Sequence, residues 1–495
     1  MQVERELKFS LTAAAARRVA RQVRPAGAWR RRMVSNVYYD TANERLRRAG
    51  VALRFRRDGA RRLQGLKAET SGAAGFSARA EWEMPAPRGR LDVGAFPREE
   101  ILAATGLDLA RLATQLRPKF ETRFARRSAA VLVDGATRAE ICVDRGYVAA
   151  GERREPISEI ELELKAGEAA ALLRYAAEIA KPLGLALEFE SKAERGYRVA
   201  AGDAFPPPRK WRRPRIGELA TPGEAFSAIF AAALTQAGAN ARGVVRGNDP
   251  EYLHQMRVGL RRLRSALLAF RDLVPRKAAK PIAERLRRLM PPLGDARDWD
   301  VFCDGLVRQG MQEPERAAAL APLLVRARAR RSNARRHARR AAGSPELQAF
   351  LLRSMRWINE GSWKAEGALV DFAATALDRL HRKALKGARK IDWDDPERRH
   401  RLRIRMKRLR YACDFFAASF AGAAAQPYLK RLEALQDILG DLNDIAVARR
   451  LLAELDAPPG RTRQVLAARE RMLVTSLEAA WAAFEKRRPF WKPRG

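Results

Sequence analysis

The first 200 residues are dominated by short stretches in which charged and apolar side chains alternate. In Val3-Glu4-Arg5-Glu6-Leu7-Lys8-Phe9, one parity carries Glu4, Glu6 and Lys8, and the other carries Val3, Leu7 and Phe9, interrupted by Arg5. Successive side chains of a β-strand point to opposite faces, so this spacing predicts a strand with one charged row and one apolar row. The same pattern recurs in Leu53-Arg54-Phe55-Arg56, Arg79-Ala80-Glu81-Trp82-Glu83, Lys119-Phe120-Glu121-Thr122-Arg123 and Glu159-Ile160-Glu161-Leu162-Glu163-Leu164-Lys165. It predicts that Trp82 and Phe120 point outward and that Lys67, on the strand returning from the Asp58-Gly59 turn, shares the face of the charged rows. Thr12 can cap an Ala-rich helix reaching about Val23, further helical segments lie near 97–112 and from Gly167 to Leu183, and the remainder is short strands and short turns. That mixture favours a closed antiparallel barrel over a parallel sheet.

From Pro222 the period changes to Ala, Leu and Arg at helical spacing, with almost no strand signal. This half contains a duplication. His254-Gln255-Met256-Arg257 and the residues after it correspond to His400-Arg401-Leu402-Arg403 at an offset of 146, and the match persists without a gap into Leu293-Gly294-Asp295 and Leu439-Gly440-Asp441. Met256, Leu260, Leu263, Leu267 and Phe270, matched by Leu402, Met406, Leu409, Cys413 and Phe416, form the stripes expected to be buried. On another face His254, Arg257, Arg261 and Arg264 are matched by His400, Arg403, Lys407 and Arg410. A basic stripe can simply be a solvated face, but two equivalent ones predict a basic wall along each side of a shared groove. Carboxylate, Cys or further His partners are missing beside His254 and His400, which disfavours a metal site there, and His337 and His381 have no counterpart in the repeat and read as solvated. Pro291-Pro292 stands where the second copy has Asp437-Ile438, which predicts that this helix ends early in the first copy.

Between the halves lies Phe205-Pro206-Pro207-Pro208-Arg209, continuing to Pro214, where consecutive prolines read as a stiff, extended linker. The resulting division is residues 1–203, a linker at 204–220, and a helical domain at 221–495, in line with what a length of 495 residues implies. The net charge of +39 calls for a polyanionic partner. Residues 1–205 hold 38 Lys+Arg against 27 Asp+Glu, leaving 59 against 31 for the rest, so most of the excess lies in the helical half. Three well-separated cysteines, Cys142, Cys303 and Cys413, form no metal or redox motif and suggest a reducing compartment. With no leader-like stretch before the first strand and no segment near the ~20 apolar residues that span a bilayer, the expected location is cytoplasmic and no membrane partner is expected. Nucleic acid is disfavoured because the linear sequence has neither a zinc finger nor an aromatic-interleaved RNA-binding signature.

The charged rows carry the chemistry. An amphipathic sheet could turn them to water, but closure with the rows inward would enclose both signs at close range. Unpaired ions withheld from water cost several kcal/mol each, so such a lumen must hold water and a ligand. Carboxylates suit Mg²⁺ or Mn²⁺, while Arg and Lys suit phosphate oxygens. The combination implies a metal-phosphate substrate.

The Glu4-x-Glu6-x-Lys8 signature, Leu53-Arg54-Phe55-Arg56, Arg79-x-Glu81-x-Glu83, the Glu159–Glu163 run and Ser191-Lys192-Ala193-Glu194-Arg195-Gly196 together resemble the CYTH, or triphosphate tunnel metalloenzyme, family. The resemblance spans roughly residues 1–200. It implies an eight-stranded antiparallel β-tunnel that binds triphosphate compounds with divalent metal. The helical repeat resembles the CHAD domain over roughly 220–490, which implies two pseudo-symmetric four-helix bundles and binding of inorganic polyphosphate along a basic surface through His254, Arg257, Arg261, Arg264, His400, Arg403, Lys407 and Arg410. CYTH followed by CHAD resembles bacterial inorganic triphosphatases. The implied reaction is hydrolysis of inorganic triphosphate to diphosphate and phosphate. Glu4, Glu6, Glu159, Glu161 and Glu163 would hold one or two Mg²⁺ or Mn²⁺ ions. Lys8, Arg54, Arg56, Lys67, Arg123 and Lys192 would clamp the phosphates, and Glu81 and Glu83 would ligate metal or orient water. Thiamine triphosphatase, adenylyl cyclase, or a non-catalytic polyphosphate binder with a degenerate tunnel are the alternatives, and association with polyphosphate granules is a corollary of polyphosphate binding.

Overall fold

In the computed structural model the alternating N-terminal stretch is β1 (Gln2–Ser10), and the strand on which the barrel closes. The structure describes residues 2–69, 77–214, 216–217, 220–312, 314–364, 367–420, 422–457 and 460–492; three positions of the expected linker, 215, 218 and 219, therefore lie outside the described residues. Contacts divide the chain into two compact units, Met1–Arg209 with Gly238–Gly243 and Ser344–Gly361, and Lys210–Ala237 with Val244–Gly343 and Ser362–Gly495.

In the first unit, β1 is followed by α1 (Ala13–Gln22), β2 (Arg30–Asp40), α2 (Arg45–Arg48), β3 (Val51–Asp58), β4 (Arg61–Glu69) and β5 (Ser77–Pro85). Then come α3 (Arg98–Thr105), α4 (Leu109–Leu112), β6 (Arg117–Leu132), β7 (Arg138–Ala150), β8 (Arg153–Ala166), α5 (Ala169–Leu183), the two-residue β9 (Ala186–Leu187) and α6 (Lys192–Ala201). Eight antiparallel strands run in the order β5-β4-β3-β2-β6-β7-β8-β1, and β1 pairs with β5 to close the barrel, while β9 adds to β1 alone. Closure follows from two-faced strands. The apolar rows face out and are covered: Leu53, Leu66, Ala80 and Trp82 pack with Phe96, Ile101, Leu109 and Leu112 of the α3–α4 region, and Leu7, Phe9, Ile160 and Leu162 are buried on the side where α5 packs against β8. The charged rows of β1, β3, β5 and β8 then have only the lumen left to face.

On β6 the expected parity is reversed. Phe120, Thr122 and Phe124 are buried, whereas Glu121 and Arg123 are exposed. Phe120, expected to point outward, stacks on Tyr38 with centroids 4.6 Å apart and meets Tyr197 of α6 edge-on at 5.0 Å. The helix α6 comes so close that a Cβ on Gly196 would lie 2.0 Å from the Phe120 ring, so this aromatic contact decides which row of β6 turns inward. Ser191 caps α6 through a complete capping box with Glu194, which fixes the start of the helix and therefore the position of Lys192.

The second unit is helical: α7 (Pro222–Ala239), α8 (Ala241–Arg246), α9 (Pro250–Ala269), α10 (Arg276–Gln312) and α11 (Pro314–Ala342), then α13 (Leu369–Ala388), α14 (Pro396–Phe416), α15 (Gly422–Glu454) and α16 (Arg461–Glu485), with α12 (Pro345–Glu360) packed instead on α5 in the first unit. The duplication is visible in the caps: Asp249 and Asp395 each cap a helix that begins with Pro, α9 and α14. The apolar stripes of both copies are buried, Met256, Leu260, Leu263, Met406 and Leu409 completely. Contrary to the sequence expectation, α10 runs unbroken through Pro281, Pro291 and Pro292. A mid-helix proline costs about 3 kcal/mol, and here burial of Leu286, Leu293, Ala296 and Trp299 on the same helix opposes that cost. Buried Cys142, Cys303 and Cys413 are all free thiols. Among the described residues, no helix is long and apolar enough to cross a membrane.

Candidate functional site

The barrel encloses a cavity of about 540 Å³ lined by inward side chains of all eight strands and by Lys192 and Ala193 of α6. Register explains the arrangement. Glu6 is opposite Glu163, and Glu163 opposite Glu140, which places three carboxylates in one row across β1, β8 and β7. The next row holds Lys8, Glu161 and Cys142, and the one after it holds Ser10, Glu159 and Asp144.

Basic side chains interleave with these acids. Lys8 Nζ lies 3.0 Å from Glu6 and 3.7 Å from Glu161. Lys67 bridges Glu4 and Glu81, the latter at 3.3 Å. Arg54 reaches Glu81 at 3.1 Å and Glu83 at 3.6 Å, and Arg56 reaches Glu83 at 3.3 Å. Burial and the neighbouring Arg54 lower Arg56 to about 10. Burial alone would raise Tyr38, yet Arg54 and Arg56 outweigh it and bring that phenol below its usual range.

At the α6 end, Asp144, Glu159 and Glu161 form the one group of three potential metal ligands found among the described residues, with ligand atoms within 4.8 Å of one another. Lys192 sits among them, 2.7 Å from Asp144 and 2.8 Å from Glu161, and also pairs with Glu159. Arg126 bridges Asp144 and Glu161, both at 2.6 Å. Burial works against the Lys192 ammonium, but Asp144, Glu159 and Glu161 together hold its pKa well above the lysine range. The same balance, with Lys192 and Arg126 as the partners, holds Glu161 far below the usual carboxylate range. Glu163 behaves oppositely. Burial and the nearby Glu4 charge raise its pKa although Lys165 lies 2.6 Å away.

The sequence-predicted site residues therefore separate. Glu4, Glu6, Lys8, Arg54, Arg56, Lys67, Glu81, Glu83, Glu161, Glu163 and Lys192 line the cavity, and Glu159 is buried beside Lys192. Arg123 does not reach it, being exposed on the outer face of β6; Arg126, three residues on and of the opposite parity, lines the cavity instead. Sequence reasoning also missed Asp144, Glu140 and Tyr38. The alternation Glu140-Ile141-Cys142-Val143-Asp144 carries a signal for the first two, and nothing in the sequence marks Tyr38 among its neighbours.

The metal expectation can be tested on donor chemistry. Carboxylate oxygens are hard ligands that fit a divalent ion such as Mg²⁺ or Mn²⁺, and the buried acidic cluster supplies them. Asp144, Glu159 and Glu161 are met by the buried cations Lys192 and Arg126, whereas the Glu6–Glu163–Glu140 row is met by Lys8 and by the more exposed Lys165, and burial together with the Glu4 charge still raises Glu163. A dication fits the second location better.

In the helical unit the two basic stripes converge. Burial and Arg261 lower Arg257 to about 10, with Arg297 and Arg403 adding to the effect and Asp298 opposing it. Burial, Arg403 and Arg261 lower Lys407 to about 7 against the pull of Asp444. Arg257, Arg261, Arg403 and Lys407 thus share one electrostatic neighbourhood built from both copies. Arg257 donates to the Leu293 carbonyl at 2.7 Å. Arg264 reaches Met290 Sδ at 3.8 Å and Arg410 reaches Gln436 Oε1 at 3.4 Å, equivalent contacts in the two copies. The histidines differ: burial and Arg297 lower His254 to about 4, while exposed His400 bonds Asn443 at 3.0 Å. His381, expected to be solvated, is buried and its Nδ1 lies 2.9 Å from the Tyr428 hydroxyl, because α13 turns it into an aromatic cluster with Phe484 and Trp491. His337 is exposed, as expected.

Residues 2–197 match the family model of the CYTH domain, and residues 228–453 match that of the CHAD domain. An inorganic triphosphatase of Haemophilus influenzae is 29% identical over 169 residues, 33% of this chain and 45% of that protein. An uncharacterized protein of Mycobacterium tuberculosis is 28% identical over 228 residues, 42% of this chain and 41% of that protein. The matched segments thus span less than half the length of these curated relatives. The crystal structure of the CHAD domain from the plant Ricinus communis is 33% identical and superposes with a TM-score of 0.51, covering 57% of this chain and 97% of that one.

Proposed function

This chain carries a CYTH domain followed by a CHAD domain, and on that footing we propose that its tunnel hydrolyses inorganic triphosphate to diphosphate and phosphate while its helical domain binds polyphosphate. The observation that carries the tunnel reading is the interleaving of carboxylates and cations around one enclosed cavity. Lys8, Arg54, Arg56, Lys67, Arg126 and Lys192 present the donors that phosphate oxygens require. Asp144, Glu159 and Glu161 orient Lys192 and Arg126, and Glu81 and Glu83 orient Arg54 and Arg56. Glu4, Glu6 and Glu163 would hold a divalent ion, Mg²⁺ or Mn²⁺, which supplies charge neutralisation at the phosphate oxygens. Exclusion of bulk water strengthens each of these contacts.

The helical reading rests on Arg257, Arg261, Arg403 and Lys407, whose mutual repulsion a bound polyanion would relieve. The working division is a tunnel domain at 1–203, a linker at 204–220 and a polyphosphate-binding domain at 221–495, acting in the cytoplasm.

Phosphate release from the full chain given triphosphate, ATP, thiamine triphosphate and long polyphosphate, with Mg²⁺ and with EDTA, tests the tunnel. Metal-dependent release restricted to triphosphate is expected; equal release in EDTA or preference for an organic triphosphate refutes it. For the helical domain, changing Arg257, Arg261, Arg403 and Lys407 together to Gln should weaken polyphosphate binding and flatten its dependence on salt.

A further inference from the structure

Helices cover the outer face of the barrel on two sides, α3 and α4 burying Leu53 and Leu66 of β3 and β4, but a patch of outward positions running across β4, β3, β2, β6 and β7 stays uncovered. Arg32, Arg56, Arg61, Arg126 and Cys142 face the cavity on these strands, so Arg31, Arg57, Arg62, Arg127 and Arg145, one or three positions away, face outward, and all five are exposed. Arg31 is directly opposite Arg127, and Arg57 directly opposite Arg62. Like charges directly opposite on a sheet are destabilising. The cavity-facing Arg32 has a carboxylate partner, Asp58, at 2.9 Å, but none of these outer arginines is ion-paired with an acid among the described residues. Arg123 adds a sixth charge in the row where Ser35 faces Arg57 on one side and Arg123 on the other. The acid sharing this face, Glu121, lies at its edge opposite Val37 and Ala149.

Apolar and aromatic groups interrupt the charge. Met33, between Arg31 and Ser35, is 49% exposed. Tyr147, opposite Arg123, has the Arg154 guanidinium 5.0 Å from its ring centroid, and Trp29 has that of Arg127 at 5.2 Å. A base-free polyanion would use the arginines and gain nothing from Met33, Tyr147 and Trp29. Bases can stack on aromatic rings and guanidinium planes while the backbone follows the cations. We propose that this exposed arginine patch binds single-stranded nucleic acid. It is separate from the cavity and from the helical cluster, and it exists only when five strands are brought side by side, which is why the linear sequence shows no such signature.

The test is fluorescence anisotropy of a labelled oligouridylate with the full chain, in a background carrying Gln at Arg257, Arg261, Arg403 and Lys407 so that the helical cluster does not compete. Adding Arg31→Gln, Arg57→Gln, Arg62→Gln and Arg127→Gln should weaken binding by at least about tenfold and make the log–log salt slope shallower by about 3, from ~0.7 per neutralised phosphate. Because two repulsive pairs disappear, the melting temperature should stay level or rise. Tyr147→Ala should weaken binding several-fold at unchanged salt slope. Oligouridylate binding that survives the four substitutions overturns the proposal. So does displacement of the oligonucleotide by polyphosphate at equal phosphate concentration with no effect of Tyr147→Ala, which assigns the face to a base-free polyanion.

Discussion

Lys192 Nζ on the first turn of α6 lies 2.7 Å from Asp144 Oδ2 on β7, and the Asp144 side chain is wholly buried. Two elements far apart in the chain thus share a buried ion pair that also recruits Glu159 and Glu161. Removing one partner of a buried pair leaves an uncompensated charge.

Lys192→Met should therefore cost about 3–5 kcal/mol of stability in metal-free buffer. The three carboxylates it vacates would then accept a dication, so Mg²⁺ should restore a larger share of stability in the variant than it adds to the parent. Denaturant titrations with Mg²⁺ and with EDTA read both effects, and an identical Mg²⁺ response in the two proteins contradicts the cluster's proposed chemistry.

Glu6→Gln keeps side-chain shape and removes one charge from the Glu6–Glu163–Glu140 row. If that row holds the metal, phosphate release should fall about 100-fold or more while circular dichroism is unchanged. An unaffected turnover would remove Glu6 from the metal set.

The helical cluster should bind polyphosphate with uptake of a proton. Lys407 titrates near 7 because burial, Arg403 and Arg261 disfavour its charge, and a polyanion reverses the sign of that neighbourhood. Above pH 7 the free side chain is neutral and the bound one charged, so affinity should fall as pH rises from 7 to 9. Calorimetry in buffers of different ionisation enthalpy measures the proton, and Lys407→Arg should abolish the pH dependence.

Burial holds His381 below its unfolded pKa, so the unfolded chain binds the extra proton first as pH falls. Its contribution to stability is complete above the ordinary histidine pKa of about 6.5 and declines below it toward the folded value. His381→Phe should flatten the stability profile below about pH 6.5, and Tyr428→Phe should cost about 1 kcal/mol through the lost hydrogen bond. Thermal melts across that window check both.

Alternation determined the strands and the charged rows of β1, β3, β5 and β8 that turn inward, because side-chain parity in a strand is a local property. The offset of 146 likewise determined the duplicated helices and their buried stripes. Parity cannot say which of its two rows turns inward when both contain polar groups. On β6 that choice fell to Phe120 packing between Tyr38 and Tyr197, which sent Arg123 outward and Arg126 inward. Nor could sequence place Asp144 beside Lys192, divide the carboxylates between a cluster around Lys192 and a row met by Lys8 and Lys165, or carry α10 through Pro291 and Pro292. Those outcomes depend on cross-strand register and on burial summed over distant elements, which only the folded chain brings together.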